Sequence, residues 1–206
     1  MTRSFRALVH AVVAGDLDAV RLLLRQDHRL ATVAADQGAR RGAAASHFFE
    51  QIKHYLYEGD TALHMAAAAF QQPIAALLVA HGADCRARNR RGAEPLHYAC
   101  DTNHWDPTAQ AGTITYLLAI GADPNARNND GATPLHRAVR TRSFAAVKAL
   151  LEGGANPALR NKTGSTPQLL ARLTTGRGGS GSEQAREQQA AITRILAEHL
   201  SRSNRI

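Results

Sequence analysis

Three histidines pose the first chemical question. His64, His97 and His136 each follow a leucine, and the Leu-His pairs recur at spacings of 33 and 39 residues. A column of imidazoles invites metal binding or proton transfer, because each neutral ring carries one donor and one acceptor. A second group, His47, Glu50 and His54, stands at i, i+3 and i+7, the spacing of one helical face. Imidazole and carboxylate ligands must converge on a zinc ion at about 2.0–2.2 Å. Residues two turns apart lie about 10 Å apart along a helix axis, so one ion does not bridge the outer pair unaided. The glycine-rich run 176–182 precedes a helical stretch, as phosphate loops do. It lacks the Gly-Lys-Ser/Thr ending and no strand leads into it, so a flexible linker is the plainer reading.

The arginines are better candidates. Arg88, Arg127 and Arg160 recur at spacings of 39 and 33, each followed by Asn, with Arg86, Arg90, Arg91 and Lys162 thickening the stripe. Guanidinium forks suit carboxylates and phosphates. The formal charge is +8, and of 25 basic residues only Lys53, Lys148 and Lys162 are lysine. That excess favours an acidic partner or non-specific attraction to nucleic acid, although taken singly most arginines simply solvate a surface. No Ser-His-Asp, paired-carboxylate or Cys-His arrangement stands out, so neither a catalytic centre nor a cofactor is expected.

The elements that must position these side chains recur as well. Residues 132–164 show the unit most plainly. Thr133-Pro134 starts a helix, with a hydroxyl cap and then Pro at the first helical position. Leu135, Ala138 and Val139 give it one apolar face, and Val147, Leu150 and Leu151 give a second helix the same. Gly153-Gly154 ends that helix, and a polar turn runs on to Gly164. Neither helix buries its apolar face alone, so the unit needs copies on both sides. Gly82-Ala83-Asp84, Gly121-Ala122-Asp123 and Gly154-Ala155-Asn156 mark those copies. The chain therefore resembles the ankyrin-repeat family, through Thr133-Pro134-Leu135-His136-Arg137-Ala138 and its counterparts Thr61-Ala62-Leu63-His64-Met65-Ala66 and Glu94-Pro95-Leu96-His97-Tyr98-Ala99. The resemblance implies an all-α solenoid of about five helix–turn–helix repeats with β-turn fingers. It also implies histidines that hydrogen-bond backbone near their own turn and the next, and a non-catalytic protein that binds a protein partner. Nucleic acid bound through the arginine rim is the alternative.

Taken in order, residues 4–31, 60–92, 93–131, 132–164 and 165–200 read as repeats, the first and last as caps, within one domain over 1–200 and a basic tail at 201–206. Insertions are expected at about 32–59, 101–109 and 174–188. In the first, Phe48, Ile52, Tyr55 and Leu56 fit one helical face. Phe48 and Ile52 read as packing residues, while Tyr55 and Tyr57 are candidates for partner contact. The second holds Trp105, the only tryptophan, which either covers helix ends or binds. Glu94 replaces the threonine cap, and Gln168-Leu169 replaces Leu-His in the last unit. Two cysteines, Cys85 and Cys100, make no disulfide framework. The start of the chain mimics a secretory leader weakly, since His10 interrupts its apolar run and Asp16 follows. No apolar run reaches membrane-spanning length. A cytoplasmic monomer is the expectation.

Overall fold

The computed structural model describes residues 2–40, 44–101, 106–173 and 183–203. Among these the helices fall into consecutive pairs: α1 (Arg3–Ala14) with α2 (Leu17–Gln26), α3 (Ala62–Ala68) with α4 (Gln72–Ala80), α5 (Pro95–Ala99) with α6 (Pro107–Ala119), α7 (Pro134–Arg140) with α8 (Phe144–Glu152), and α9 (Pro167–Arg172) with α10 (Glu183–Ser203). First helices pack on first helices and second on second, so the pairs stack into an all-α solenoid. Residues 107–109, expected in an insertion, form the first turn of α6, and residues 183–188 open α10.

The starts follow from local chemistry. Thr2, Asp16, Asp106, Thr133, Ser143 and Thr166 each accept a backbone N–H of the first turn through the side chain. Leu63, Leu96 and Leu135 are fully buried, as are Ala66, Ala99 and Ala138 beside them. Alanines on the packed faces let neighbouring helices approach closely, which suits a core with few aromatic rings. Every residue of α3 is buried, because α1 and α5 flank it and its own partner α4 packs on it.

The histidine column has the structural role that the resemblance implies. Nδ1 of His64, His97 and His136 accepts the backbone N–H of Thr61, Glu94 and Thr133, each at 3.1 Å. Nε2 reaches forward to Ala93 O, Ala132 O and Ser165 O of the next unit at 3.0, 3.1 and 3.0 Å. A carbonyl only accepts, so all three rings are neutral with the proton on Nε2. Burial pushes His64 and His136 below the usual imidazole range and holds His97 down at about 3.

Residues 32–59 differ from the helix expected there. Phe48–Phe49 (β1) and His54–Tyr55 (β2) pair antiparallel, Phe48 opposite Tyr55, around a 3₁₀ turn at Glu50–Ile52. Lys53 takes a left-handed conformation at φ 47°. The spacing of Phe48, Ile52, Tyr55 and Leu56 imitates a helical period, but the rings of Phe48 and Tyr55 meet across the strands at 4.7 Å. Aromatic side chains favour such extended pairs. Below the hairpin the two arms run side by side, with Ala39 N donating to Leu56 O and Ala35 N to Asp60 O. His47, Glu50 and His54 consequently share no helix face. His47 bonds Ser46, Glu50 pairs with Lys53, and His54 turns to Asp101.

Candidate interaction surface

Fingers project between successive pairs, and the backbone stitches them into a row. Arg90 N donates to Glu58 O, Asn129 N to Arg91 O and Lys162 N to Asp130 O, each at 2.9 Å. This approach needs glycine: a Cβ on Gly59 would stand 2.8 Å from Asn89 Cα, and one on Gly131 would stand 3.0 Å from Lys162 N. Within each finger an asparagine braces the turn. Asn89, Asn128 and Asn161 accept through Oδ1 from the backbone N–H two and four residues on.

The arginines that precede these asparagines reach forward. Arg88 Nη2 donates to Arg127 O at 2.8 Å, and Arg127 Nη1 donates to Arg160 O at 3.0 Å. Arg160 donates to Gly164 O of its own finger at 2.8 Å. A carbonyl satisfies a donor without cancelling its charge, so these three guanidiniums remain full cations at the rim. Their neighbours are placed differently. Arg86 pairs with Asp123 at 3.6 Å, and Arg90 lies 3.7 Å from Glu58, which Arg40 holds at 2.7 Å. Arg91 stacks over the Tyr57 ring at 4.2 Å. Lys162 is exposed. Tyr55, half-buried, lies between Phe48 and Tyr57. Arg90, Arg91, Tyr55 and Tyr57 therefore form one patch where the hairpin meets the fingers. Trp105 and residues 176–182 lie outside the described residues.

The hairpin packs on the body of the repeats. It crosses the first helices: Arg6 of α1 donates to Ser46 O, His10 of α1 packs on Phe49, and His54 packs on Tyr98 of α5. Phe49, Ile52 and Leu56 are buried, and Phe48 is half-buried. Beneath it sits a polar cluster without an obvious local signal in the sequence. Asp60, fully buried, accepts from Tyr57 N at 2.6 Å, Asn89 Nδ2 at 2.8 Å and the Tyr98 hydroxyl at 2.9 Å. Asp101 takes Arg137 Nη1 at 2.7 Å and His54 Nε2 at 3.3 Å. Burial pushes the Asp101 carboxyl up, but the Arg137 charge and the His54 hydrogen bond outweigh it and hold it below the usual carboxylate range. These acids and bases are engaged with one another, which ties the hairpin to α5 and α7. Among the described residues, no three His, Cys, Asp or Glu side chains gather as metal ligands.

Glu94 is the weak joint. One carboxyl oxygen, Oε2, is buried without a hydrogen-bond partner. Burial raises its pKa, with Arg86 and Arg88 pulling the other way.

Comparison with protein families finds ankyrin repeats in three overlapping or adjacent matches: "Ankyrin repeats (3 copies)" over residues 8–106, "Ankyrin repeat" over 91–129 and "Ankyrin repeats (many copies)" over 117–168. Comparison with curated proteins finds no match. Ankyrin repeats are generally protein–protein interaction modules, and proteins built from them are typically non-enzymatic scaffolds. No helix among the described residues is long and apolar enough to cross a membrane. With stacked helix pairs, stitched fingers and forward-reaching histidines all accounted for by matches spanning residues 8–168, the chain belongs to the ankyrin-repeat family.

Proposed function

We propose that the protein is a non-enzymatic adaptor that binds an acidic protein partner through its fingers and the open part of its concave face. The observation that carries this reading is the finger row itself: Arg88, Arg127 and Arg160 are held in line by carbonyls and keep their charge. A preformed row loses little ordering entropy on association. The hairpin packs on α1 and α5, so the partner would meet its outer side at Tyr55 and Tyr57, the fingers, and the first helices further along. Trp105 stays a candidate contact on sequence grounds. The free thiols Cys85 and Cys100 support a reducing, cytoplasmic setting, and the protein acts as a monomer in this reading.

Proximity labelling in the native cell, comparing wild type with Arg88→Gln/Arg127→Gln, tests the proposal. Loss of an acidic protein from the labelled set, restored by Arg88→Lys/Arg127→Lys, is the expected result. An unchanged set removes the finger row from the account. Binding of nucleic acid is the second reading, favoured only by the +8 charge of the chain. Affinity for duplex DNA that falls steeply with salt and ignores sequence would favour it over protein recognition.

A further inference from the structure

The last helix pair breaks the rule that governs the others. His64, His97 and His136 reach forward to a carbonyl of the following unit. Leu169 occupies that position in α9, and it has no donor to offer. Leu169 and Leu173 are 46% and 48% exposed, which is unusual for large apolar side chains in this chain. Beside them, α9 and α10 enclose an open groove of ≈ 610 Å³. Ala171, Ala190 and Ala197 line it with Gln189 and Thr193, which donate to the Ala171 carbonyl at 2.8 and 3.4 Å, and Arg172, Arg186 and Arg194 complete the lining. Glu183 and Glu187 of the same helix are not part of its lining. The result is a strip of small side chains beside three cations, with the two polar side chains tied down to backbone.

We propose that this end of the stack is a docking surface for an acidic amphipathic helix of a protein partner. The groove follows α10 from Arg186 to Ala197, a run of about 17 Å at 1.5 Å per residue, which matches three turns of a second helix. Alanines on the floor let a partner backbone come close, and its apolar face, spaced at i, i+3 or i+4 and i+7, seats against Leu169, Leu173 and the floor. Carboxylates flanking that face meet the bordering guanidiniums in charge-assisted hydrogen bonds. A further repeat of the same kind fits poorly, because Leu169 cannot make the contact that joins the other units. A second copy stacked end to end fits poorly too. At the opposite end α2 exposes Leu22, at 57%, beside Arg21 and Arg25, so arginine would face arginine, offset in part by Asp16 and by Asp18, 3.6 Å from Arg21. The surface lies apart from the fingers and does not depend on the finger reading.

The probe is a synthetic helical peptide of about 18 residues, five turns, with leucines along one face and glutamates on both flanks. A matched peptide carries lysine in place of glutamate. Fluorescence anisotropy with the full chain reads the affinity. Leu169→Glu/Leu173→Glu and Arg186→Glu/Arg194→Glu are each expected to weaken the glutamate peptide by about tenfold or more, and the second variant to shift preference toward the lysine peptide. All four positions are exposed, and melting temperatures close to wild type confirm that the variants fold. Equal binding of the two peptides by wild type, unchanged affinity in both variants, or displacement by an oligonucleotide of equal charge would overturn the proposal. So would self-association of the chain that Leu169→Glu abolishes, since that would seat a second copy there. Arg88→Gln/Arg127→Gln is expected to leave the peptide affinity intact; if it alone removes binding, the peptide sits on the fingers and the end surface is idle.

Discussion

Asp60 lies fully buried beneath the hairpin and takes three hydrogen bonds, whereas Leu169, at the far end of the stack, is 46% exposed with no unit described beyond it. Both sit where the chain leaves the repeat pattern. The 32–59 segment satisfies itself: its rings pair, its apolar residues find α1 and α5, and its polar cluster closes on Tyr98 and Arg137. The α9–α10 pair keeps apolar and cationic groups turned outward. The difference teaches that departure from a repeat has two uses. An insertion with its own partners becomes part of the scaffold, and a cap that withholds them is left for recognition.

The sharpest way to break that comparison is to remove Asp60. Asp60→Ala leaves the buried Tyr98 hydroxyl without its acceptor and the Asn89 amide with that hydroxyl as its remaining partner, and a loss of about 3 kcal/mol is expected in urea unfolding. Leu169→Ala, at the exposed end, is expected to change stability by no more than about 0.5 kcal/mol. Comparable losses at the two positions would erase the distinction.

Acid separates the regions next. His64, His97 and His136 each have a folded pKa below the unfolded value, so their contribution is fully present above pH ~6.5 and is lost as pH falls. With His97 held at about 3, its share of the loss between pH 6.5 and 5 is about 2 kcal/mol, at ~1.4 kcal/mol per pH unit. His97→Asn should flatten the decline over that window. Hydrogen exchange at pH 5 should show faster opening where the histidines join α3, α5 and α7 to their neighbours than within α9–α10, which has no such ring. A uniform change would deny them this role.

The smaller effect is at Glu94, within the covered region but imperfect. Glu94→Thr replaces the carboxylate with the hydroxyl that accepts a first-turn N–H at Thr133 and Thr166 and is expected to add about 1 kcal/mol at pH 7. The sign with pH is opposite to that of the histidines. The raised carboxyl pKa makes wild type relatively stronger in acid and weaker as pH climbs through the folded value. The gap between variant and wild type should therefore close near pH 4, and a constant gap would clear the carboxylate of blame.

These regions also differ in how much the sequence discloses. The Leu-His pairs and Gly-Ala-Asp turns repeat a short-range pattern, and short-range patterns are what periodicity reads. The arginine–asparagine doublets were visible too, though not the braces and forward bonds they make. The hairpin escapes periodicity because Phe48, Ile52, Tyr55 and Leu56 fit a 3.6-residue period while the true pairing is across strands. Asp60 and Tyr98 stand 38 positions apart, and nothing near either announces the other. At the far end Leu169 is legible as an exception to the Leu-His rule, but the groove needs α10 in place, because one face of that helix supplies most of a lining that α9 completes with Ala171 and Arg172.

The finger arginines run in one direction only. Arg88 and Arg127 each hold a carbonyl of the next finger, so both links depend on the finger that follows. Trimming the chain from its C-terminal side would unhook the guanidinium just upstream, and a fragment ending before Arg160 would leave Arg127 with idle donors on an exposed edge. Short pieces of this protein should then adhere to anions more readily than the parent. Work that maps its partners with truncated baits would collect contacts that the intact row never makes.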